Sequence, residues 1–97
     1  MKKRARIIIS GRVQGVGFRS FVQLQAQKLG VCGWVKNNQE GTVEAVLEGE
    51  QEAIEHIITA CKDGSMSANV EHINTKEEAY TGEFNEFRIN KKCTLQK

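Results

Sequence analysis

The segment Gly11-Arg12-Val13-Gln14-Gly15-Val16-Gly17-Phe18-Arg19 runs from an apolar strand pattern through a glycine-broken turn to an arginine where a helical pattern begins. Helix entrances carry unpaired amides and the positive end of the macrodipole, so a guanidinium held there makes a cradle for a dianionic phosphate. Arg19 offers five donors in a fork that matches phosphate oxygens, and Gly15, Val16, Gly17 and Phe18 offer main-chain N–H groups beside it. Glycines also serve tight backbone geometry alone, and for Gly15 and Gly17 taken without Arg19 that reading stays open. Gln14 is either a polar rim or a turn residue.

A second segment, Gly33-Trp34-Val35-Lys36-Asn37-Asn38, reads as a strand that ends in asparagine. Asn37 alternates with Trp34 and Lys36 and falls on the side of Val35. Its carboxamide donates and accepts at once, which suits it to orienting a water molecule; a turn-forming role is the alternative, and Asn38 fits that ordinary role.

The elements that must carry these groups follow from periodicity. Ile7, Ile9 and Val13 recur at even separations within Ala5 to Val13, interrupted by Gly11, and predict a first strand. From Phe18 the period lengthens: Phe18, Val22, Ala26 and Leu29 mark a helix that Gly30 ends. Gly33–Asn38 and Thr42–Glu48 predict a hairpin around Asn38-Gln39-Glu40-Gly41, with Glu44 and Glu48 on its solvent side. Ala53, Ile54, Ile57, Ile58 and Cys61 give a second helix beginning near Glu50 and closing at Lys62 and Gly64. Val70–Thr75 and Glu86–Asn90 predict two further strands. This order packs as an α+β, ferredoxin-like sandwich: one antiparallel five-stranded sheet with two helices on one face, βαββαβ plus a short terminal strand.

The 97 residues fit one domain spanning 1–97, and 14 basic against 12 acidic side chains leave a formal charge of +2, too balanced for an electrostatic nucleic-acid binder. Lys2-Lys3-Arg4-Arg6 and Lys91-Lys92 read as solvated ends. Cys32, Cys61 and Cys93 form neither a disulfide framework nor a Cys-x-x-Cys pair, and His56 and His72 join no ligand cluster. Trp34, Phe18 and Phe21 read as packing residues rather than a base-stacking platform. No secretory or transmembrane stretch stands out, so a cytoplasmic protein is expected, with no membrane or nucleic-acid partner and in monomeric form.

The two segments, followed by Gly41-Thr42-Val43-Glu44, closely resemble the signatures of acylphosphatase. The likeness extends through Ala68-Asn69-Val70 and Phe87-Arg88-Ile89, while the tail from Asn90 to Lys97 is less characteristic. The resemblance implies hydrolysis of acyl phosphates to a carboxylate and inorganic phosphate without a metal or organic cofactor. Arg19 then matches the phosphate-binding arginine, Asn37 the water-positioning asparagine, and the Gln14, Gly15, Val16, Gly17 and Phe18 backbone the phosphate loop. A sheet order of four-one-three-two-five is implied with them.

The residues also support that chemistry independently. Neither segment contains His, Cys, Asp or Glu as a nucleophile or proton donor. An alkyl phosphate expels an alkoxide and needs an acid or metal, whereas an acyl phosphate expels a carboxylate whose conjugate acid has a pKa of about 4. Three competing functions are a noncatalytic phosphate-binding module, a nucleic-acid binder of the same fold, and a carbamoyl-phosphate domain like those within larger hydrogenase-maturation proteins. Asn37 favours the enzyme over the first, the weak charge disfavours the second, and the chain's length favours a free enzyme over the third.

Overall fold

The computed structural model describes residues 1–64 and 68–90. Its elements are β1 (Lys2–Arg12), α1 (Phe18–Leu29), β2 (Cys32–Asn37), β3 (Val43–Glu50), α2 (Gln51–Asp63), β4 (Asn69–Glu78) and β5 (Phe87–Asn90). Strand alternation sets Ala5, Ile7 and Ile9 of β1 against Leu47, Ala45 and Val43 of β3. These residues are buried with Phe18, Val22 and Ala26 of α1 and Ile54, Ile57 and Cys61 of α2, so both helices cover the same face. Removing these apolar groups from water supplies the main driving force for folding. No helix of the described residues is long and apolar enough to cross a membrane.

The sheet order is β4-β1-β3-β2-β5, as the resemblance implies. The sheet is mixed rather than antiparallel throughout, because β5 pairs with β2 in parallel, Gly33 opposite Phe87 and Lys36 opposite Asn90. The reason lies in the connection. β4 ends with Glu78 opposite Arg4, near the start of β1, and β5 begins opposite Gly33, near the start of β2. Segment 79–86 reaches at most about 27 Å, and crossing four strand spacings uses about 19 Å of it. The chain therefore stays at one end of the sheet and β5 leaves in the sense opposite to β4, which is the sense of β2.

The structure overturns two expectations about charge. Glu48, expected in solvent, is only 3% exposed, and Glu44 is half-buried. Arg4 and Arg6 belong to β1 rather than to a solvated tail. On the sheet face away from the helices, Glu48 accepts hydrogen bonds from the Thr81 N–H at 2.9 Å, the Thr81 hydroxyl at 3.0 Å and the Gly82 N–H at 3.1 Å. Arg4 pairs with Glu48, Glu78 and Glu83, and Arg6 with Glu44 and Glu78. Trp34 lies on this face too, not in the helix-covered core, with the Arg6 guanidinium 5.6 Å and the Lys36 ammonium 5.4 Å from its ring centroid. Lys91 and Lys92 lie outside the described residues.

Burial alone would raise the Glu48 carboxyl pKa, but hydrogen bonds from Thr81, Arg4 and Gly82 outweigh it and hold the group below its ordinary value of 4.5. The Arg6 hydrogen bond holds Glu78 low as well. A carboxylate depressed in the folded state contributes stability that is fully present above its unfolded pKa and is lost as pH falls through the folded one. Thermal stability should thus fall steeply as the pH drops below 4.5, and Glu48→Gln should flatten that slope. At neutral pH, Glu48→Ala is expected to cost about 2 kcal/mol by orphaning the Thr81 and Gly82 amides. Denaturant titrations of both variants across pH measure this directly.

Candidate active site

The rows of the sheet bring the two singled-out segments to one end. Ile9 stands opposite Val43, and Val43 opposite Asn37, so the end of β1, the start of β3 and the end of β2 lie side by side. The chain then leaves β1 and crosses to α1 through Val13–Gly17. Two left-handed glycines make this turn possible: φ is 74° at Gly15 and 77° at Gly17, a region that costs little without a Cβ. Gly17 is the N-cap of α1, and the helix has neither a side-chain cap nor an acidic residue in its first turn.

Such a helix start is poor for stability. Capping residues and carboxylates normally satisfy the exposed amides and oppose the macrodipole, yet here the first turn holds a cation, Arg19. The amides of Gly15 to Ser20 find no acceptor among the described residues. Phe21 is the first to bond back, to the Gly17 carbonyl at 3.0 Å. No carboxylate among the described residues pairs with the half-buried Arg19 side chain. Free donors and an uncompensated cation at one point favour an anion there. A pocket of ≈ 100 Å³ opens at this point, walled by Val13, Gly15, Gly17, Phe18, Arg19, Ser20 and Ile89.

Asn37 is the last residue of β2 and is half-buried. Its side-chain oxygen Oδ1 is buried and has no hydrogen-bond partner among the described residues, a costly state for a carboxamide unless a further group completes it. Asn38 takes the turn-forming role expected of it: its N–H donates to the Thr42 carbonyl at 2.8 Å and its Nδ2 to the Thr42 hydroxyl at 3.0 Å.

Gln14 separates from the group predicted with it. Its Nε2 donates to the Asn38 carbonyl at 2.8 Å and to the Thr42 carbonyl at 2.9 Å, so the side chain points to the β2–β3 turn rather than to the loop amides. Three pocket residues were not read as site residues in the sequence, and one of them, Val13, had been read only as the end of the first strand. Ser20 follows Arg19 in the first helical turn and was legible as its neighbour; Ile89 was legible as a residue of the last strand, but nothing local showed that β5 brings it to this pocket.

Among the described residues, no group of three or more His, Cys, Asp or Glu side chains comes together. His56 and His72 are exposed on α2 and β4. Burial pushes the Cys61 thiol up to about 12, which leaves it unreactive; Cys32 is half-buried, and Cys93 lies outside the described residues.

Comparison with known proteins finds relatives over nearly the whole chain. A family model described as acylphosphatase matches residues 5–89. An acylphosphatase of Pelotomaculum thermopropionicum is 44% identical over 88 residues, covering 91% of this chain and 96% of that protein. The crystal structure of acylphosphatase from Bacillus subtilis superposes with a TM-score of 0.87 at 42% identity, over 93% of this chain and 99% of that one. Full-length HypF, solved in a phosphate- and nucleotide-bound form, superposes with a TM-score of 0.85 at 33% identity over 94% of this chain but only 12% of its own length. There the same fold is one module of a larger protein.

Proposed function

This chain belongs to the acylphosphatase family and hydrolyses acyl phosphates, and on that premise we propose how its residues divide the reaction. Arg19 and the main-chain amides of Gln14, Gly15, Val16, Gly17 and Phe18 bind the phosphoryl oxygens. Asn37 holds the attacking water through its carboxamide. What supports this division is the place of Asn37 at the end of β2, beside the end of β1 from which the loop of free amides leaves, with the Gln14 side chain bonded to the neighbouring Asn38 and Thr42 carbonyls.

Elementary chemistry explains why so few groups suffice. The leaving carboxylate departs unprotonated, since its conjugate acid has a pKa of about 4. What remains is to neutralise charge on the equatorial oxygens and to set water in line with the bond that breaks. A guanidinium and oriented amides do the first, and they need no reorganisation as charge shifts toward the leaving oxygen. A carboxamide hydrogen-bonded to water does the second. As the phosphorus–oxygen bond to water forms and the bond to the carboxylate breaks, the water's proton passes to a phosphoryl oxygen of the substrate. No protein acid or base is required.

The test is steady-state hydrolysis of acetyl and benzoyl phosphate in the presence of a chelator, with inorganic phosphate as inhibitor. Turnover well above the spontaneous rate, inhibited competitively by phosphate, is expected. Hydrolysis at the spontaneous rate would contradict the reading, as would a stringent dependence on added metal. A noncatalytic binding module would retain phosphate binding and show no turnover. We further propose that the enzyme acts as a cytoplasmic monomer; a sedimentation mass matching the 10.9 kDa chain would support the monomer.

A further inference from the structure

The Gln14 carboxamide is the only side-chain hydrogen-bond link, among the described residues, between the loop before α1 and the β2–β3 turn. Its two N–H groups are both spent on main-chain carbonyls, those of Asn38 and Thr42. These carbonyls flank the mouth of the turn, which the Asn38 N–H to Thr42 carbonyl bond also closes. Gln14 belongs to the loop that offers its free amides, directly before Gly15, and Asn38 directly follows Asn37. One neutral side chain therefore spans the distance between the two halves of the site.

From this we infer that Gln14 is a positioning residue: its carboxamide sets Asn37 relative to the phosphate loop, and so governs how well the water lines up with the phosphorus. The inference rests on the reading that Asn37 holds the water. A carboxamide fits the task because it gives two directed donors and adds no charge beside a dianionic ligand. Among the described residues, strand pairing fixes Asn37 only through β3, whereas the loop hangs from β1 on the far side of β3. The Gln14 bonds are the direct brace across that gap. In-line attack tolerates little misplacement, an error of about 1 Å costing about 100-fold in rate.

Gln14→Met keeps the length and volume of the side chain but has no donor; Gln14→Glu keeps the shape and also loses both donors. Each is compared with wild type for kcat, for the inhibition constant of inorganic phosphate and for thermal midpoint, alone and combined with Asn37→Ala. The expected result for Gln14→Met is a kcat lowered about 10- to 100-fold with the phosphate constant nearly unchanged. In the Asn37→Ala background the same change should lower kcat little further, since a residue acting through Asn37 has nothing left to position. Unchanged kcat overturns the proposal. So does a phosphate constant weakened as much as kcat, which would make Gln14 a direct phosphate ligand, and so does an additive loss on top of Asn37→Ala. If both single variants fail to fold, Gln14 is a scaffold residue and the proposal is wrong. Near-normal turnover of Asn37→Ala itself would instead remove the underlying assignment of Asn37, so the two failures are distinguishable.

Discussion

Arg19→Ala is expected to lower kcat/KM for acyl phosphates by about 1,000-fold or more and to abolish competitive inhibition by inorganic phosphate at millimolar concentration. The guanidinium sits where the macrodipole already favours an anion and where the amides of Gly15 to Ser20 lack acceptors among the described residues. Removing it leaves the amides in place but takes away the only cationic group lining the pocket among the described residues. Arg19→Lys should remain severely impaired, because an ammonium is a point charge and cannot grip two phosphoryl oxygens in a planar fork. Stability should move the other way or not at all: a cation in the first helical turn opposes the macrodipole, so Arg19→Ala is expected to leave the thermal midpoint unchanged or slightly raised. Kinetics and a melting curve on the same preparation separate these effects. Full activity in either variant would exclude Arg19 from the site.

Asn37→Ala is expected to lower kcat by about 100-fold while changing the inhibition constant of phosphate by less than about threefold. A group that aligns water contributes mainly in the transition state, whereas phosphate affinity belongs to Arg19 and the loop. The variant should also be no less stable than wild type. Its buried Oδ1 has no partner among the described residues, so removing it relieves an unsatisfied acceptor rather than breaking a bond. Loss of phosphate binding in parallel with kcat would instead place Asn37 among the phosphate ligands.

Much of the scaffold was legible because it is written locally. The two-residue period of Ile7 and Ile9, its change at Phe18, and Gly30 after Leu29 fixed β1 and α1 with little tertiary help. Arg19 could be singled out for a related reason: a cation at an uncapped helix start is a local inconsistency, and such inconsistencies mark sites of function. The parts that were not legible depend on distant chain segments. Glu48 alternates like a solvent-facing strand residue, and only the crossover from β4, more than 30 residues away, buries it. The parallel pairing of β5 follows from that same short crossover. Gln14 meets its partners 24 and 28 residues along the chain, so no sequence window reveals that its side chain braces the turn instead of lining the loop.

Hydrolysis in ¹⁸O-labelled water tests the central claim most directly, because the position of the label reports which atom the water attacks. If Asn37 directs water at a phosphoryl group held by Arg19 and the loop, enzymatic turnover of benzoyl phosphate places one labelled oxygen in inorganic phosphate and none in benzoate. Label appearing in benzoate instead would mean attack at the carbonyl carbon, and would contradict the account.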